Sequence, residues 1–130
     1  MGSFTNYAEC KILNNLCGND TLGSTSMWVG LFTAAPADTS GGTEVSGGSY
    51  ARKSSGGWAT CTGSMGNVAN VATVTCATAS AAWGTVSHFA LLDDSATGNM
   101  IAWATLTASR TVSTNDVAVF AVGSLSITLD

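Results

Sequence analysis

Charge is scarce in this chain. Four basic and eight acidic side chains stand among 130 residues, 9% of the total, against about a quarter in an ordinary soluble domain. A freely dispersed monomer would have little to keep its copies apart, so the composition suits a surface covered by other protein. The basic residues Lys11, Arg52, Lys53 and Arg110 form no cluster beyond one adjacent pair, and the net charge is −4. Binding nucleic acid by counterion release needs several such groups on one face, which sets DNA and RNA aside as partners. No stretch approaches the ~18 apolar residues of a membrane span. The opening residues, Met1 to Glu9, have neither a basic n-region nor a continuous apolar run, and Asn6 stands where a myristoylation motif needs Ser or Thr. The sequence predicts a protein made and used without a secretory signal and without a membrane partner.

The length fits one domain, residues 1–130, long enough to bury a core without staples. A helix is predicted over about 4–16, capped by Ser3 and ended at Gly18. At about 100° per residue Phe4, Tyr7, Ala8, Ile12 and Leu16 share one broad side. Beyond Gly18 the pattern changes to period two, first in Met27-Trp28-Val29-Gly30-Leu31-Phe32-Thr33, which ends at Pro36, the single proline. The Gly/Ser-rich stretch 38–49 is longer than usual connections and is expected to be a contact arm. Residues 52–70 read as a hairpin or another loop, and 71–76 as a strand. Strands over 86–92 and 99–106 flank Asp93-Asp94-Ser95-Ala96-Thr97-Gly98, the sequence of a turn, and make a hairpin. After a second turn at 113–116, residues 117–122 are apolar on both faces and are expected to lie centrally in a sheet.

The clearest alternation comes last, with Leu125, Ile127 and Leu129 on one face and Ser124, Ser126 and Thr128 on the other. The first face belongs in the core, which leaves the second free to meet a neighbour. Together these elements predict a mainly β fold, an antiparallel β-sandwich or small barrel over about 27–130 with an N-terminal α-helix. The expected core is Val29, Leu31, Val74, Phe89, Leu91, Ile101, Trp103, Val119, Leu125, Ile127 and Leu129.

Little in the chain points to catalysis. The single histidine, His88, sits between Ser87 and Phe89. Strand neighbours face opposite ways, so a Ser87-His88-Asp93 triad is set aside for a half-buried histidine bonded to a nearby carbonyl or hydroxyl. Asp93 and Asp94 lie in no calcium-loop pattern and read as turn formers. The expectation is therefore no catalytic residues, no cofactor and no metal. Cys10, Cys17, Cys61 and Cys76 show no zinc-knuckle spacing. They are either buried small hydrophobes or disulfide candidates. Within one helix Cys10 and Cys17 would lie ~10 Å apart at ~1.5 Å rise per residue, beyond the roughly 4.4–6.8 Å a bridge spans. A bridge would then run to Cys61, to Cys76 or to another subunit. Trp28, Trp58, Trp83 and Trp103 suggest core or interface packing, with a carbohydrate platform as the alternative. The sequon Asn19-Asp20-Thr21 matters only in a secretory pathway.

Read in order, Met27 to Pro36, then Gly47-Gly48-Ser49-Tyr50-Ala51-Arg52, then Ala82-Trp83-Gly84-Thr85-Val86-Ser87-His88-Phe89-Ala90-Leu91, then Gly98-Asn99-Met100-Ile101-Ala102-Trp103 resemble a family of small virion proteins of tailed bacteriophages. The helix from Asn6 to Leu16 matches the family's usual start. Members are described as tail-fibre, minor structural or head-decoration proteins. The resemblance therefore implies a non-enzymatic virion component, assembled in the host bacterial cytoplasm. The expected role is a capsid decoration or cement protein, a homotrimer gripping the major capsid protein or other virion proteins. A neck, collar or tail-fibre component is the alternative, and a carbohydrate-binding sandwich for host attachment a further one. Two departures stand out: 52–66 is glycine-rich where the family has a more regular strand, and the cysteines occupy unusual positions. They motivate the hypothesis that disulfides staple neighbouring subunits once the particle leaves the reducing cytoplasm.

Overall fold

The turn at 93–98 closes the longest hairpin, and the rest of the chain is arranged around it. In the computed structural model, which describes residues 3–19, 26–39, 41–61 and 66–128, the elements in chain order are β1 (Ser3–Phe4), α1 (Asn6–Leu16), β2 (Trp28–Ala34), β3 (Thr43–Glu44), β4 (Lys53–Ser54), β5 (Asn67–Ala69), β6 (Val74–Thr75), β7 (Gly84–Leu92), β8 (Met100–Val112), β9 (Val119–Phe120) and β10 (Ser126–Thr128). The hairpin β7–β8 lies inside a six-stranded sheet ordered β1-β8-β7-β2-β3, with β4 also on β2. Two ribbons, β5–β10 and β6–β9, complete the strands. All pairings are antiparallel. The architecture is mainly antiparallel β with one N-terminal helix; the sheets are open and no closed barrel is found among the described residues.

Alternation along β2 and β7 creates two buried faces. Val29 pairs with Leu91 and Leu31 with Phe89, and this side carries the main core. Val29, Val74, Leu91 and Leu125 form one cluster, with Trp58, Phe120 and Ile127 packed against it. Leu31, Val45, Cys76, Ala79, Trp83, Val86 and Val112 form the next. Residues of β6, β9 and β10 thus lie over the large sheet as a second layer, the sandwich-like arrangement expected. On the opposite face Phe32, Ala90 and Leu92 are buried beside Met100 and Trp103. Burial of a Val or Leu side chain contributes roughly 1.5–3 kcal/mol, so these clusters dominate the stability.

A bulge interrupts β7–β8: Val86 pairs with Arg110 and His88 with Thr105, so Leu106, Thr107, Ala108 and Ser109 stand opposite Ser87 alone. Such an insertion breaks the period-two phase. Val86 therefore joins the Leu31 cluster, although strict alternation back from Phe89 would turn it to the other face.

Several expectations need correction. The helix begins two residues later than read, because Ser3 and Phe4 pair with Trp103 and Ala102 as a strand. Thr5, and not Ser3, is the N-cap, accepting from the Ala8 amide; its hydroxyl donates to the Met100 carbonyl and its amide to that of Ile101. Gly18 adopts the left-handed conformation expected of it (φ +75°). Ala8 is buried, whereas Leu16 is 76% exposed. Residues 38–49 do not form a free arm. β3 pairs with β2, the Val45 amide bonds the Leu31 carbonyl, and the Val45 side chain is buried. Gly48 shows why glycine is required there: at φ +55° an added Cβ would lie 2.8 Å from the Ala81 carbonyl. The hairpin expected within 52–70 is present in short form, with Trp58 bridging Asn70 and the Ala59 amide bonding the Ala69 carbonyl, while β4 pairs with β2 and β5 with β10. Of 71–76 only Val74–Thr75 is strand, and Ser109 to Val112 belong to β8.

The largest departure is at 117–122. The run lies in the two-stranded ribbon β6–β9 on top of the sheet, so one of its sides has no layer above it. Val119, expected in the core, is 54% exposed. Val29, Leu31, Val74, Leu91 and Leu125 are buried as expected, and Phe89, Ile101, Trp103 and Ile127 are half-buried. Leu129 lies outside the described residues, as do Asp20 and Thr21 of the sequon. Ser124 and Ser126 are exposed, as their face of the last strand predicts, whereas Thr128 on the same face is half-buried.

Candidate functional site

Because β9 sits above β8 without pairing to it, a groove opens between them, about 950 Å³ in volume. Its floor comes from Leu31, Phe89 and Val112 and its walls from the bulged half of β8 and residues 116–121. The Phe89 and Phe120 rings meet at 5.7 Å at its base. Val117 and Val119 line it while 43% and 54% exposed. Two charged side chains line it, Arg110 and Asp116. Asp116 accepts the Ser113 amide at 2.8 Å, closing the 113–116 turn, where Asn115 takes φ +72°. Among the described residues the Arg110 guanidinium has no hydrogen bond or ion pair. One wall ends in a free strand edge. Val74 pairs with Phe120 and Thr75 with Val119, and the Cys76 amide reaches the Ala118 carbonyl. In an antiparallel ladder that leaves the Val119 N–H and C=O pointing away from β6.

The opposite edge of the main sheet is sealed by side chains. β3 and β4 pair with the two ends of β2, and between them the Leu31 amide donates to the Tyr50 hydroxyl at 2.9 Å. That hydroxyl donates in turn to Glu44 Oε1 at 2.8 Å. Arg52 grips Glu44 with two bonds of 2.8 Å, Nε to Oε1 and Nη2 to Oε2, the bidentate geometry that makes such pairs strong. Its Nη1 reaches the Asp94 and Thr97 carbonyls. Burial pushes Glu44 up, but the Arg52 and Tyr50 bonds outweigh it and hold the carboxyl below its ordinary value. Burial and the adjacent carboxylate push Tyr50 well above the usual tyrosine range. This clamp joins β3, the 50–54 segment and the 93–98 turn into one cross-linked edge.

The Ser87 hydroxyl lies 2.8 Å from His88 Nδ1. That matches the half-buried histidine expected, although the contact joins strand neighbours; the bulge beside them relaxes the alternation. Asp93 is spent on the Asn99 amide and side chain, so the triad residues are not brought together. Asp94 accepts the Ala96 and Thr97 amides, which lower its pKa, and the aspartates are turn formers as read. No cluster of metal-ligating side chains is present among the described residues.

All four cysteines are free within the chain. Cys76 is buried, whereas Cys10, Cys17 and Cys61 are exposed, so the packing reading fits Cys76 alone. Burial raises its pKa. None of the four tryptophans is exposed. Trp83 donates to the Gly48 carbonyl, and Trp58 donates to Ser55 and packs on the Val74 cluster. The buried Asn70 holds the two ribbons together: its side chain donates to the Ala72 and Ala121 carbonyls and accepts from the Leu125 amide. Reading the sequence missed Asn70, the clamp, and Arg110 with Asp116. In a chain with so few charges, each charge inside an otherwise neutral strand or turn was the available signal.

No helix among the described residues is long and apolar enough to cross a membrane. A comparison with curated proteins found no match. A family model described as podophage GP4 fiber I protein gp80 matches residues 3–128.

Proposed function

The chain belongs to the podophage GP4 fiber I protein family and is a phage virion structural protein, and from that premise we propose that it is a non-enzymatic subunit of a fiber on the particle. Its work is mechanical. The observation that carries this reading is the family match along 3–128. The geometry supports it: a sheet edge clamped by Glu44, Arg52 and Tyr50, and a low-charge surface that leaves valines exposed. Small apolar patches contribute about 25 cal/mol per Å² when covered, and repetition along an appendage multiplies them. The partners are other copies of the chain and other virion proteins. Cys10, Cys17 and Cys61, being exposed, are the thiols placed to staple subunits, and non-reducing electrophoresis of virions reads such bridges directly.

Capsid decoration is the second reading, favoured by the scarcity of charge, which suits a lattice over the major capsid protein equally well. Copy number separates the two. Quantitative mass spectrometry of purified particles is expected to find tens of copies per virion; hundreds would replace the fiber reading with the decoration reading.

A further inference from the structure

We propose that the groove between β8 and β9 is the contact through which one copy of this chain binds another, with Arg110 of each copy meeting Asp116 of its neighbour. Three features of the groove carry the inference. Its lining has one cation and one anion, and no ion pair joins them within the chain. An interface between identical chains is satisfied by such a pattern, because every copy supplies the group its neighbour lacks. A strongly anionic or cationic partner would leave one of the two opposed by like charge. Around these charges stand Val117 and Val119, large apolar side chains left exposed in a strand run, with threonine hydroxyls of β8 beside them. Clusters of that kind on a soluble surface mark contact sites. Finally, the free edge of β9 offers unpaired backbone groups at Val119, which an adjoining strand satisfies.

The occupant is a second copy, in a closed ring or pair whose order light scattering reads. The inference builds on the structural role above, but its test uses the isolated chain in solution and so stands apart from copy number on the particle. In sedimentation and light-scattering measurements the wild-type chain self-associates as concentration rises. Arg110→Glu and Asp116→Lys each weaken association by about tenfold or more, and the double variant Arg110→Glu/Asp116→Lys restores it, since the opposite charges then meet in reverse. Circular dichroism confirms that each variant is folded. Val119→Ser, at an exposed position, gives an independent handle and also weakens association. A monomeric wild type at all concentrations, unchanged association in the single variants, or a folded double variant that fails to recover each overturns the proposal.

Discussion

Removing one oxygen atom, in Tyr50→Phe, tests how the edge of the main sheet is closed. The ring stays, and with it the edge-to-face contact on Trp83 at 5.4 Å and 84°. What goes is the acceptor for the Leu31 amide and one of the donors to Glu44. Leu31 is 1% exposed, so its N–H is left without a partner where water has little access; an orphaned buried donor costs about 1–3 kcal/mol. Glu44 keeps its two Arg52 bonds and part of its hydration, and adds roughly 0.5 kcal/mol or less. The expected loss is therefore about 2 kcal/mol, or roughly 5–10 °C in Tm for a chain of this size. Urea unfolding followed by circular dichroism should show the midpoint moving at unchanged slope, because the surface exposed on unfolding is the same. The exposed Tyr7→Phe serves as control and should fall within about 0.5 kcal/mol of wild type. A Tyr50→Phe loss inside that same window would refute the claim that the hydroxyl seals the gap between β3 and β4.

The same clamp has an acid limit. Glu44 is held below its ordinary value of 4.5, so its contribution is fully present above about pH 4.5 and is lost as pH falls through the lower folded value. Stability curves against pH should show this acid slope reduced in Glu44→Gln, with the part due to Asp94 retained. Tyr50 behaves oppositely: raised above 10.0, its hydroxyl stays protonated in the folded chain where it ionises in the unfolded one, and stability is lost as pH climbs past about 10. Tyr50→Phe should abolish that alkaline loss. For the thiols, Ellman's reagent should modify Cys10, Cys17 and Cys61 on the reduced native chain, and Cys76 at the rate of unfolding. Rapid reaction of all four would contradict the burial of Cys76.

The hairpin, the first long strand and the buried side of the last one were legible because local signals agreed with the fold: Asx residues and Gly98 in the turn, alternation at Leu125 and Ile127. Short pairings were not legible. β3 and β4 are set by contacts to β2 across the 38–54 loop, and nothing in Gly41-Gly42 or Gly47-Gly48 announces them. At Val117 and Val119 composition misled, since β-branched residues mark a strand without saying whether it lies between layers or on top of them. The helix start failed for a related reason: Ser3 and Thr5 are both good caps, and the choice fell to Phe4 pairing with Ala102. As for the groove, Arg110 and Asp116 look in sequence like ordinary surface charges, and only folding leaves them both in one cleft and unpaired with each other.

β8 has a long outer margin, since β1 covers no more of it than Ala102 and Trp103. In a protein with so few lysines such a margin invites unlimited stacking of chains into cross-β aggregates. The four residues that swell out opposite Ser87 interrupt that margin, one of the devices by which natural sheets blunt an edge. A foreign strand that began pairing at one end would find its side chains inverted beyond the swelling, and would stop there. In a chain with so little charge, the bulge supplies part of the edge protection that lysines provide elsewhere.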